Sequence, residues 1–196
     1  MKIKPLPRSF FSRPTQKVAQ ELLGKYIVRN LQGTELIGKI VETEAYTSDD
    51  PACHAFRGKT ARTQALFGQV GHAYIYFIYG NHFCLNVVAR KNIPAGGVLI
   101  RAVEPIAGIE VMQKLRPRIV GYNLTNGPGK LGKAFGIDRS LYGRDVTKKD
   151  DFYLGSAIDL PEEKLQIKAT ARIGISCGKE LLWRFYIVDS PWISHK

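Results

Sequence analysis

An α+β fold is predicted for this 196-residue chain. The expected form is a single domain with a curved, mostly antiparallel β-sheet, helices at its margins and a protruding β-hairpin. Three observations predict it. Short strand-like runs follow one another at 35–46, where apolar and polar residues alternate, and at 73–78, 83–89 and 97–103. Turn residues, Gln32-Gly33 and Gly80-Asn81, separate neighbouring runs. Helical periodicity is confined to short stretches between them. With 44% hydrophobic residues the chain can build one sizeable core. Gly and Pro are spread throughout, with no repeat and no low-complexity linker, so residues 1–196 read as one domain.

Residues 1–13 are expected to be extended, with Phe10 and Phe11 tucked into the core. Residues 14–23 form the first helix: Pro14 suits the first helical position, Val18, Leu22 and Leu23 make the apolar stripe, and Gly24 caps it. Strands follow at 26–29 and 35–46. On the second, period two puts Glu42, Glu44 and Tyr46 on one face and Val41, Thr43 and Ala45 on the other. Residues 47–66 are a long loop with short helical pieces. The hairpin is 73–78 and 83–89, with Tyr74 and Tyr76 sharing a face. Next come a strand at 97–103, a helix at 106–115 started by Pro105, and a short helix at 129–135. Late strands are expected at 169–175 and 185–188.

Lys plus Arg number 29 against 17 for Asp plus Glu, a net charge of +12, which points to a polyanionic partner. No run of 18 apolar residues and no apolar signal core is present, so neither a membrane partner nor export is expected. The expected location is cytoplasmic and nucleoid-associated. Cys53, Cys84 and Cys177 are odd in number and widely spaced. That argues against a disulfide framework or a zinc site, and two of the three read as buried reduced thiols.

The candidate chemistry concentrates between Ile40 and Asn86. Glu42 and Glu44 are either a solvated strand face balanced by Lys39 or a general acid or base. Apolar neighbours make the strand semi-buried, where a carboxylate needs partners, and Arg101, alone in an apolar strand, is the candidate. Tyr46, Tyr76 and His54 either belong to a tyrosine-rich sheet or form a pocket for a flipped purine. Tyr79, at the hairpin tip, could wedge into a base stack. The loop 56–63 carries Arg57, Lys59 and Arg62 among hydroxyls, a composition suited to phosphates or to solvent. Residues 127–134, Gly-Pro-Gly-Lys-Leu-Gly-Lys-Ala, approach a Walker A loop, but Ala134 stands where Ser or Thr must hold magnesium. Lys130 and Lys133 there could still meet a DNA phosphate.

At these residues the chain resembles the alkyladenine (3-methyladenine) DNA glycosylase family, in a compact bacterial-type form. The matching pieces include residues 40–46 (Ile-Val-Glu-Thr-Glu-Ala-Tyr), 52–54 (Ala-Cys-His) and 76–80 (Tyr-Phe-Ile-Tyr-Gly). They continue at 83–86 (Phe-Cys-Leu-Asn), 99–105, 124–131, 171–174, 182–186 and 190–194, in family order over roughly residues 8–194. The loop between Tyr46 and His54 is one residue shorter than in animal members.

The resemblance implies one DNA glycosylase domain over 1–196. It implies a monofunctional hydrolase of base excision repair that flips alkylated purines out of damaged double-stranded DNA and needs no catalytic metal; a monomer without a cofactor is expected. It makes Glu44 the general base and gives the water to Glu44, Arg101 and the Ile173 carbonyl. It packs the base between Tyr46 with His54 on one side and Tyr76 on the other. Asn86 would act against a guanine amino group, Leu99 and Leu66 would shape the pocket, and Tyr79 would intercalate. Two other readings stand beside it: a non-catalytic nucleic-acid-binding module of related fold, and a metal-dependent nuclease using Glu42, Glu44 and Asp49.

Overall fold

The computed structural model describes residues 1–78, 80–161 and 164–194. Its elements are β1 (Ile3–Pro5), α1 (Arg8–Phe11), α2 (Thr15–Glu21), β2 (Tyr26–Leu31), β3 (Thr34–Thr47), β4 (Ala73–Ile78), β5 (His82–Val88) and β6 (Gly96–Ala107). They continue with α3 (Ile109–Leu115), α4 (Pro128–Ala134), β7 (Phe152–Ala157), β8 (Ile167–Thr170) and β9 (Arg184–Ile187). One antiparallel sheet runs β1-β7-β2-β3-β6-β5-β4, and β9 joins β3 and carries β8. The α+β architecture is the one expected.

The long strand β3 organises the sheet. β6 lies along one side of it, while the other side is shared by β2 opposite residues 34–39 and β9 opposite residues 42–44. The turn into β3 holds Gln32 at φ 51° and Gly33 at φ 84°, the left-handed pair that a tight hairpin needs. The β3–β6 pairing steps over Val41 on one strand and Arg101 on the other. Such a bulge re-aims a side chain, and here it aims an arginine.

The face of β3 opposite the carboxylates packs on α2, where the Thr43 hydroxyl donates to the Ala19 carbonyl at 2.8 Å. Val18, Ala19 and Leu22 fill the core there with Ile40, Ala45, Ile100 and Phe185. α4 lies directly on β5: a Cβ on Gly132 would stand 2.0 Å from the Phe83 carbonyl oxygen. The glycines around Lys130 and Lys133 thus include one required by packing.

Several expectations are corrected. Residues 8–11 form a helical turn, α1, that buries Phe11. β6 does not stop at Val103 but runs through Pro105 to Ala107, because residues 37–39 of β3 still need a partner. Pro105 is tolerated next to the register shift at Ile37 and Gly38. The following helix therefore starts at Ile109, after Gly108 at φ 73°. Residues 171–175 are not strand; β8 ends at Thr170 and the chain turns to line a cavity. β1 and β7 were not anticipated. Cys53 and Cys84 are buried and free, as expected for two of the three cysteines, and Cys177 is exposed. Among the described residues no helix is long and apolar enough to cross a membrane.

Candidate active site

Glu42, Glu44 and Tyr46 project from the carboxylate face of β3 into a polar cluster in the protein interior. Glu42 and Glu44 are both 0% exposed. A buried carboxylate is costly unless it is paired and hydrogen-bonded, and both are. Arg101, aimed by its bulge, reaches between them: Nε lies 3.2 Å from Oε1 of Glu42 and Nη1 lies 3.2 Å from Oε2 of Glu44.

Glu42 also accepts from Arg184 Nε at 2.6 Å, the Ser194 N–H at 2.6 Å and the Ser194 hydroxyl at 2.7 Å. The Oε2 of Glu44 accepts in addition from the Tyr46 hydroxyl at 2.7 Å, and its Oε1 from the Ile173 N–H at 2.8 Å. Burial, then the Glu44 charge, drive the Tyr46 hydroxyl far above its ordinary range, so it keeps its proton and donates.

Above this cluster opens a cavity of about 570 Å³. Tyr46, Arg101 and Ile173 line it, as do His54, Leu66, Tyr74, Tyr76, Asn86 and Leu99. A small hydrophobic cluster of Cys53, Ala55, Leu66, Tyr74, Val88 and Ala95 packs against Tyr46 and Tyr76, and Cys53, Leu66 and Tyr74 of it line the cavity too.

The Nδ1 of His54 lies 2.9 Å from the Tyr74 hydroxyl, and its ring meets Tyr76 edge-on at 4.7 Å between centroids. Partial burial, then the nearby Arg62 charge, lower its pKa and favour the neutral imidazole. The expected grouping of His54 with Tyr46 is not the one its ring contacts show. His54 and Tyr76 touch, so no base can lie between them; they form one corner of the cavity. Asn86, 5% exposed, donates from Nδ2 to the Tyr74 carbonyl at 3.1 Å.

Of the basic residues, Arg57, Lys59 and Lys133 are exposed. Arg62 is exposed too, its Cζ 5.8 Å from the centre of the Tyr76 ring. The loop carrying Arg57, Lys59 and Arg62 is pinned by Thr63, which accepts from the Thr60 N–H at 2.9 Å, and by Tyr142, which donates to the Arg62 carbonyl at 3.2 Å. Lys130 lines the cavity and donates to Asn126 and Asn123 at 2.7 and 3.1 Å. Tyr79 lies outside the described residues. Among the described residues, no three His, Cys, Asp or Glu side chains group to hold a metal ion.

Sequence reasoning missed Arg184, Ser194, Asp50 and Arg172 as parts of this site. Arg184 carried the signal that singled out Arg101, a lone cation in an apolar strand. Ser194 belongs to the matching piece 190–194, but nothing in its spacing shows that the path of the chain after β9 brings it to Glu42.

The family model for methylpurine-DNA glycosylase matches residues 9–191. A protein of Carboxydothermus hydrogenoformans is 47% identical over 97% of this chain and 99% of its own length. Another from Methanocella arvoryzae is 47% identical over 97% and 96%, and one from Salinibacter ruber 46% over 98% and 97%. All three are named, provisionally, 3-methyladenine DNA glycosylase.

Proposed function

Since the chain belongs to the methylpurine-DNA glycosylase family, we propose that it is a DNA glycosylase excising alkylated purines such as 3-methyladenine from duplex DNA. The whole chain acts as one catalytic domain, as a monomer, in base excision repair. The observation that carries this reading is the position of Glu44. It is a buried carboxylate whose hydrogen-bond partners among the described residues, Tyr46, Arg101 and Ile173, all line a cavity walled by tyrosines and a histidine.

A damaged purine flips into the cavity, between Tyr46 on one side and the His54–Tyr76 corner on the other. At about 570 Å³ the space accommodates a purine with its sugar at the mouth. Electron-rich ring faces favour a cationic base, and a damaged base is less costly to flip. Leu66 and Leu99 set the pocket's width, and Asn86, held by the Tyr74 carbonyl, excludes an exocyclic amino group.

The reaction is a hydrolysis. The water oxygen forms a bond to C1′ and the N-glycosidic bond breaks, its electron pair passing to the base. A cationic 3-methyladenine thereby leaves neutral. Glu44 takes the water proton and its charge stabilises the oxocarbenium-like sugar. Arg101 and Ile173 orient the carboxylate and the water. Arg57, Lys59, Arg62, Lys130 and Lys133 hold the DNA backbone, and Tyr79 fills the gap left in the duplex.

The test is incubation with alkylated duplex DNA, with and without chelator, followed by alkali. Free base and alkali-labile sites, unaffected by chelator, are expected. Binding without base release would point to a nucleic-acid-binding module, and chelator-sensitive strand cleavage to a nuclease.

A further inference from the structure

Beneath Tyr46 lies a second buried ion pair, between Asp50 and Arg172, which are 2% and 5% exposed. Arg172 meets Asp50 with both terminal nitrogens, Nη1 to Oδ2 and Nη2 to Oδ1, the latter at 3.0 Å. The same guanidinium donates to the Ala45 carbonyl at 2.9 Å and the Gly178 carbonyl at 3.3 Å. Its Cζ stands 4.6 Å from the Tyr46 ring centre and 5.4 Å from that of Trp183. Neither Asp50 nor Arg172 lines the cavity.

A buried ion pair contributes little net stability compared with an apolar replacement, so what it fixes in space matters more. This pair ties together three segments that build the cavity. The end of β3 is held through Ala45 and Tyr46. The 172–178 loop is held at both ends. The 50–54 turn is held at Asp50, whose Oδ1 accepts the Ala52 N–H at 3.0 Å and whose carbonyl accepts the Cys53 N–H at 2.9 Å.

The geometry points to Asp50 and Arg172 as positioning residues for Glu44, an inference that rests on the reading of Glu44 as the general base. Each oxygen of Glu44 takes a hydrogen bond from a group that Arg172 places. Oε2 accepts from the hydroxyl of Tyr46, whose ring lies on the guanidinium. Oε1 accepts from the N–H of Ile173, the next residue in the chain. Arginine suits the role because its planar fork grips a carboxylate and a carbonyl while its face carries a ring; a lysine offers only a point charge.

The test compares Arg172→Lys and Asp50→Asn with the unaltered protein. Rates are measured under single-turnover conditions on 3-methyladenine duplex DNA and are referred to active protein by titration with abasic-site DNA. Base release is expected to fall about 10- to 100-fold, because small misplacements of a catalytic group are costly. Affinity for abasic-site DNA is expected to stay within about threefold, since binding and chemistry separate in such a variant.

The acidic limb of the rate–pH profile is expected to move to higher pH, because hydrogen bonds favouring the carboxylate are loosened. Among the described residues, the charged and titratable groups facing Glu44 are Glu42 and Tyr46 on β3, Arg101 on β6, Tyr76 on β4, Arg184 on β9 and Arg172 itself. Arg172→Lys preserves all of these charges, so a shifted limb reports orientation. A merely structural role would lower the active fraction and leave rate and limb per active molecule unchanged, and that result overturns the inference. Glu44→Gln is run alongside. If it still releases base, the reading of the base itself fails. If it is inactive while both pair variants keep the unaltered rate and limb, only the positioning role fails.

Discussion

Glu42 and Glu44 leave β3 on the same face and are equally buried, yet their oxygens are used differently. Among the described residues Glu42 accepts four hydrogen bonds and Glu44 three. Three of the four bonds to Glu42 crowd onto Oε1, whereas Glu44 takes two on Oε2 and one on Oε1, so Oε1 of Glu44 keeps an acceptor position. Of the partners of Glu42, Arg101 lines the cavity while Arg184 and Ser194 do not. Glu42 is thus held mainly by groups outside the cavity, whereas Arg101, Tyr46 and Ile173, the partners of Glu44 among the described residues, all line it.

Glu42→Gln should be mainly a stability variant. It leaves Arg101 and Arg184 buried beside a neutral amide, and breaking such a cluster costs about 3–5 kcal/mol. Urea denaturation should show a midpoint lowered accordingly, with an unchanged slope. A midpoint equal to that of the unaltered protein would mean that the arginines do not depend on Glu42.

Gly132→Ala tests the contact between α4 and β5. The added Cβ would fall 2.0 Å from the backbone oxygen of Phe83, and backbone cannot rotate away as a side chain can. The expected destabilisation is about 1–3 kcal/mol or more, even though alanine is the better helix former. A melting temperature equal to or above the original would show that α4 lifts off β5 at no cost.

The pKa of His54 is lowered, first by burial and then by the charge of Arg62. An NMR titration should find it below 6.5, and Arg62→Ala should raise it part of the way, since burial remains. The sign for stability follows. Below about pH 6.5 the unfolded chain binds a proton that folded His54 refuses. Its contribution is thus present above that pH and is lost as the pH falls through the lower folded pKa. An unchanged His54 titration in Arg62→Ala would mean the two charges do not interact.

Lys59 is exposed, whereas Lys130, which lines the cavity, is bonded to two asparagines. Removing one phosphate contact should reduce the slope of log affinity against log salt by about 0.9. Lys59→Ala should do so equally for lesion and undamaged DNA. A slope that does not change would remove Lys59 from the DNA-binding face.

Much of this was legible along the chain because period-two spacing is local. It set Glu42, Glu44 and Tyr46 on one face, and Tyr74 with Tyr76, and both groupings hold. Arg101 stood out as a cation in an apolar strand. The division of labour between Glu42 and Glu44 was not legible from spacing, because it depends on Ser194, 152 positions away from Glu42. Nor was Arg172 under Tyr46, a contact made by a loop where strand was expected. β6 ran past Pro105 because pairing with β3 outweighed the proline's local preference. The contact of His54 with Tyr76 likewise depends on how the 50–54 turn folds against β4.

The central claim is that Glu44 removes a proton from the attacking water. Glu44→Gln preserves shape and burial while abolishing that basicity. In single-turnover reactions on duplex DNA carrying 3-methyladenine, the variant should bind with near-original affinity and release base at least about 100-fold more slowly. Release at the original rate by a folded, DNA-bound variant would contradict the account.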